Sequence, residues 1–403
     1  MFNDSYLDEK LRVVVERQEQ INNRVLGIIA KRIKEIGGMS VTDVHTLQQL
    51  YRSGVDVREI NEILALGTAM QVKEIKTIIR DVAEMTLYNA KPYYDYRNKP
   101  FIPYKDNKQV QNIVNAIAKE TSGTFKNIAG STAVGFVLRD RANPMGKKVF
   151  MNMQKAYQDV IDEAIQSLSM GTENYFTLMR RTNLQLVASG VQGVYWDSGY
   201  HQRLDTAIRR NILDGARKVS MEVDALVGKE FGADGVELSA HIMSAPDHEP
   251  IQGHCFAKSE WERLQSNQDF IDINGNKFTA IDRAIGEWNC RHYSFSVVLA
   301  HYTPVYSQEE LDKMKKDNAK GYTLPNGKHM TLYECTQYQR QLETECRRFK
   351  DAQMMFLQVG DKVNALKYQA KAVQKANECK AFCSSCGIQF VPTRLRVSGY
   401  KMI

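Results

Sequence analysis

Nowhere in the 403 residues is there an apolar run approaching the roughly 20 positions that a membrane-spanning helix requires. No segment therefore reads as a membrane helix. The opening "MFNDSYLDEKLRVVVERQEQ" also lacks the basic, apolar, small-residue order of a secretory signal, so the chain is expected to be made and kept on the cytosolic side. Cysteine is sparse and odd in number: seven, at positions 255, 290, 335, 346, 379, 383 and 386, which is no disulfide framework and implies reduced thiols. P-loop, G-x-G-x-x-G, G-x-S-x-G and kinase signatures are missing, as are internal repeats and low-complexity tracts. Nothing supports a nucleotide-driven motor.

What remains is ordinary globular material. The chain is 43% hydrophobic and 25% charged and is long enough for two or three structural units, each with its own core. Its net charge of +7 is unevenly placed, because residues 311–403 hold 17 Lys or Arg against eight Asp or Glu. That basic C-terminal third could meet DNA phosphate or an acidic protein surface, or be a lysine-rich solvated face.

Hydrophobic spacing predicts a mainly α protein with a small α+β unit, in five segments. Residues 1–87 form an N-terminal helical array, opened by a long helix whose stripe runs from Leu7 through Leu11, Val14, Ile21, Val25 and Ile28 to Ile36. Two shorter helices follow, with Asp56 and Glu59, then Thr68 and Gln71, spaced as capping boxes. Their Gly-containing junction has helix-turn-helix spacing, although the second helix carries no dense basic face. Residues 88–108, with prolines at 92, 100 and 103 among tyrosines, read as a connecting arm docked on a neighbouring unit or suited to stacking on bases. Residues 109–234 form a central helical domain, with helical spacing at 109–128, 148–170, 172–189 and 201–232. In the α+β unit, 235–333, "GVELSAHIM" reads as a strand, while Asn274-Gly275 and Pro325-Asn326-Gly327 mark turns. Residues 334–403 are a basic helical hairpin and tail, divided at Gly360-Asp361.

The chemistry concentrates in the α+β unit, which contains His241, His248, His254, Cys255, Cys290, His292 and His301. Imidazole and thiolate together suit zinc. The favoured ligand set is His241, His254, Cys290 and His292, although the gaps are long and the unit has neither C-x₂-C nor H-E-x-x-H. A Cys/His nucleophile would draw on His241 or His254, since Cys290 and His292 point to opposite faces of an extended chain. The bland alternative makes Trp288 and Cys290 core residues and gives the histidines backbone hydrogen bonds. Cys379, Cys383 and Cys386 have the C-x₃-C-x₂-C spacing of an iron–sulfur site, but the first two also lie one turn apart on a helix.

The order of features says more than any single motif. "SGYHQRLDTAIRRNILDGARK", "GVELSAH", "GHCFAKSEW", "GEWNCRHYSF" and "ECTQYQRQLETECRRFK", in that order, resemble the minor capsid or head morphogenesis proteins that tailed phages encode beside the portal. The N-terminal "YLDEKLRVVVERQEQINNRVLGIIAKRIKEIGG" also looks like the opening of that family. The resemblance touches Arg203, Leu204 and Asp205, Arg209 and Arg210, Ser239, Ala240 and His241, and Trp288, Asn289, Cys290, Arg291 and His292. Ile251 stands where members commonly have tryptophan, and Glu287 precedes Trp288. The resemblance implies a structural, non-enzymatic virion protein with no catalytic residues or cofactor. It would be oligomeric, bound to the portal and other head proteins at the portal vertex or capsid interior, and active in head assembly and DNA packaging or ejection. Packaged DNA would meet the basic C-terminal third, and no membrane would be involved. Some relatives carry appended toxin or enzyme domains; with the chain ending soon after "SSCGIQF", none is expected. A zinc-dependent hydrolase or nuclease and a DNA-binding assembly factor are the competing readings.

Overall fold

The computed structural model describes residues 4–36, 55–130, 132–138, 147–152, 193–195, 201–272, 275–287, 290–358 and 360–403. Trp288, Asn289 and most of the helices expected across 148–189 lie outside these residues.

A helical bundle forms the first core. The opening helix, α1 (Asp4–Ile36), follows its sequence stripe and buries Leu7, Leu11, Val14 and Val25. Beyond it, the two short helices expected after residue 55 are one continuous helix, α2 (Val55–Asn89). Thr68 does not cap a new helix: its hydroxyl donates back to Leu64 O at 2.7 Å. Gln71 is buried and donates to Val14 O across to α1 at 3.2 Å. Gly67 marks a close crossing rather than a turn, since a Cβ there would lie 2.1 Å from Ile21 Cδ1. Without a break, helix-turn-helix geometry is absent from these residues.

The tyrosine- and proline-rich arm begins with a short helix, α3 (Lys91–Tyr96), with proline in its first turn where no amide donor is needed. Tyr94 anchors it, packing edge-on against Phe101 and Phe231 at centroid distances of 5.5 and 4.9 Å. Its hydroxyl donates to Glu230 at 2.7 Å. This is the docked arrangement, although Tyr93 and Tyr96 remain exposed.

Helices α4 (Lys108–Gly130) and α5 (Leu204–Glu230) complete the bundle, with Val110, Val114, Ile117 and Phe125 meeting Ile208, Ile212, Val219 and Val223 in one apolar cluster. Gly215 allows their close approach, since a Cβ there would lie 2.4 Å from Thr121 Oγ1. Between these helices the expectation of an all-helical segment fails. Strands β1 (Thr132–Leu138), β2 (Lys147–Asn152), β3 (Gly193–Tyr195) and β4 (His201–Arg203) form an antiparallel sheet ordered β2-β1-β3-β4. "TAVGFVL" is a short apolar run and "KKVFMN" has only three apolar residues in succession, too little in either case for periodicity to distinguish helix from strand.

The α+β unit stands where expected. β5 (Gly235–Leu238) is the middle strand between β6 (Cys255–Ala257) and β9 (Ser294–Val297), both antiparallel to it. Helix α6 (Lys258–Gln265) and the hairpin β7 (Phe270–Ile271) with β8 (Lys277–Phe278) cover this sheet, bringing Phe256, Phe270 and Phe278 into contact. Helix α7 (Gln308–Lys320) leads to the hairpin of β10 (Tyr322–Thr323) and β11 (His329–Met330).

Last come α8 (Leu332–Gln358) and α9 (Lys362–Cys386), antiparallel as expected. They divide where Gly360 takes φ +83° and Asp361 accepts Asn364 N–H at 3.0 Å. The three cysteines of "CKAFCSSC" are buried with Cys335 in the hairpin's apolar cluster. All seven cysteines are free thiols.

Candidate functional site

Two buried polar constellations coincide with the motif residues. The first begins at the "RLD" element, where β4 passes into α5. Arg203 donates to Asp205 at 3.1 Å and to Asp351 of α8 at 2.8 Å, and Arg347 pairs with Asp205 at 3.0 Å. Asp205 also receives Thr206 N–H at 2.9 Å, as suits a carboxylate in a helix's first turn. These two arginines and two aspartates balance. Burial works against the Asp205 carboxylate, but the two guanidiniums outweigh it and hold the group down at about 2.

Glu19 of α1 is the surplus acid. Burial, with the nearby Asp205 and Asp351 charges, pushes its carboxyl up to about 7 even though it accepts Ser398 N–H at 3.0 Å. The network ties α1, α5, α8 and the C-terminal tail together through Arg203 and Asp205 of the "RLD" element.

The second constellation lies at one end of the β5 sheet, where the loop after β5 meets the segment that enters β9. After β5 the chain turns through residues 245–252, with amides of His248 and Glu249 bonding to Ala245 O, and returns at Gly253, whose φ is +72° and whose N–H donates to Leu238 O. His248 stands on that turn. A second turn, around Gly286 at φ +91°, delivers Cys290, and Tyr293 is fixed to Ser239 by two hydrogen bonds of 2.9 Å. Residues 290–293 precede β9 and are not extended strand, so Cys290 and His292 are not sent to opposite faces.

The result is a triad of His248, Cys290 and His292, all buried, whose ligand atoms lie within 4.8 Å of one another. Cys290 Sγ is 3.5 Å from His248 Nδ1 and 3.4 Å from His292 Nδ1. Among the described residues, no other group of three or more His, Cys, Asp or Glu residues converges in this way.

Of the four ligands favoured from sequence, the structure brings Cys290 and His292 together. His241 stacks on His292 with centroids 4.4 Å apart, outside the convergent group. His254 faces the other side, edge-on to Phe278 at 5.6 Å, and the third converging imidazole is His248. His248 belonged to the wider pool in the sequence, but spacing could not rank it above His254: the turn at 245–252 decides which imidazole faces inward. Cys255 and His301 lie elsewhere, the latter exposed.

Burial sets the electrostatics. It pushes His292 down to about 2, helped by the fields of His241, His248 and two arginines, and it lowers His248 and His241 as well. It also raises the Cys290 thiol, which at 3% exposure has neither the thiolate character nor the access of a nucleophile. One wall of an open cleft of about 290 Å³ is made by these residues, and Arg210, Arg283, Arg291 and Arg340 also line it. Burial and the neighbouring Arg291 and Arg394 push the Arg340 guanidinium down to about 10.

No curated protein and no solved structure matches the chain. Residues 2–384 match the family model of Phage minor capsid protein 2, and with nearly its whole length matched the chain belongs to that family of phage minor capsid proteins.

Proposed function

We propose that the protein is a minor head component seated at the portal, acting as an assembly part during head formation and DNA packaging. Membership of a structural capsid family carries the coarser statement, a structural role in the virion alongside other head proteins. What supports the finer reading is the surface of the C-terminal hairpin. Val363, Leu366 and Val373 are 79%, 51% and 43% exposed along α9, and exposed Lys362, Lys367 and Lys380 accompany them. An apolar stripe edged with lysine suits an acidic protein surface, because burial supplies affinity while charge steers the encounter. The charge-paired "RLD" residues, whose charges are spent on holding α1, α5 and α8 together, favour a structural role.

Cross-linking of assembled heads tests this. The expected result is links from Lys362, Lys367 or Lys380 to the portal protein. Links confined to packaged DNA would move the hairpin to a DNA-binding role, and the absence of links to either would remove this face from the interface.

A further inference from the structure

We propose that His248, Cys290 and His292 form a zinc site that fastens the loop after β5 to the segment that enters β9. The argument is a count of hydrogens. His241 N–H donates to Gln252 Oε1 at 3.0 Å, and a backbone amide can only donate, so this atom of Gln252 is its oxygen. The same oxygen lies 3.2 Å from His292 Nε2, and because two acceptors would repel there, Nε2 takes the ring hydrogen, with the Ser244 hydroxyl at 3.4 Å beside it, and leaves Nδ1 bare. His248 Nε2 faces Arg283 O at 3.0 Å, so it too is the N–H and its Nδ1 is bare. Both bare nitrogens face Cys290 Sγ, at 3.5 and 3.4 Å.

A thiol has one hydrogen and can satisfy one of these lone pairs. The other would be buried against sulfur with no donor, an unfavourable arrangement for a buried polar atom. A divalent cation satisfies all three atoms. Sulfur and nitrogen bound tetrahedrally to zinc, at about 2.3 and 2.0–2.1 Å, stand roughly 3.5 Å apart, the separation seen here. Binding exchanges the Sγ–H proton, released to solvent, for a Zn–S bond and leaves both imidazoles neutral. Both rings already have the outer partners that ligating histidines use, a main-chain carbonyl for His248 and an amide oxygen for His292. The three donors line the arginine-edged cleft, leaving the fourth position to water or an anionic group entering from it.

The test is metal analysis of the full chain purified without chelator, with cobalt substitution as the second readout. The wild-type chain and H254A are expected to hold about one zinc per chain, and H248A and C290S to lose it. Cobalt-loaded wild type should show thiolate-to-cobalt charge transfer, and this should be absent from C290S. A folded wild-type chain that carries no zinc and accepts none when supplied overturns the proposal. Retention of wild-type zinc by H248A, its loss from H254A, or copper in its place would do the same. Should H248A fail to fold, the cobalt spectrum of the wild type decides.

Discussion

Replacing Glu19 with glutamine isolates the surplus charge in the α1–α5–α8 network. Glu19 is 5% exposed and lies among Arg203, Asp205, Arg347 and Asp351, whose charges already cancel. Its carboxyl ionises near 7 in the folded chain, against an ordinary value of 4.5. A raised carboxylate binds its proton more tightly when folded, so Glu19 costs nothing below about pH 4.5 and becomes progressively destabilising as pH rises towards 7. Well above 7 the cost reaches about 3 kcal/mol. Glutamine keeps an oxygen for Ser398 N–H and has no charge to lose. Urea unfolding of both proteins at pH 5 and pH 8.5 provides the assay, and comparison with the wild type at each pH cancels titration elsewhere. E19Q should exceed wild-type stability by about 1 kcal/mol at pH 5 and by about 3 kcal/mol at pH 8.5. Equal stability at both values, or destabilisation at high pH, would refute the claim that the ionised acid is surplus.

Other outcomes are as definite. D351A removes the 2.8 Å acceptor of the buried Arg203 guanidinium while Glu19 can supply the lost negative charge, so it should cost about 1–3 kcal/mol in denaturant unfolding. Gly321 holds φ +41° and ψ −138°, and a Cβ there would lie 1.9 Å from the Met330 carbonyl oxygen, so G321A should destabilise the chain by about 3 kcal/mol. F256A removes a ring 0% exposed that touches Phe270 and Phe278, and a loss of about 3–5 kcal/mol is expected by the same measurement.

The architecture was legible where periodicity is long or turn chemistry explicit. The stripe from Leu7 to Val25, the Gly360-Asp361 break and the Pro325-Asn326-Gly327 turn each carry a local cause that tertiary contacts reinforce. Gly67 misled because helical glycine near a threonine reads as punctuation, whereas its cause is distant: Ile21 needs the space. Strands at 132–138 and 147–152 escaped because two short segments of this kind declare themselves only by pairing. Cys290 and His292 were identifiable as a pair from "NCRH". Choosing His248 over His254 was not, since that depends on a turn whose hydrogen bonds converge on Ala245 and His248 main-chain oxygens. The "RLD" charges were recognisable as a motif, but their partner Asp351 lies 148 residues from Arg203 and no local pattern points to it.

The central claim, a minor structural component of the virion, is tested most directly by quantitative mass spectrometry of purified particles, with copies counted against the portal protein. The account requires this chain in mature virions at low, fixed stoichiometry to the portal. Its absence from purified particles, with portal and major capsid protein present, would contradict it.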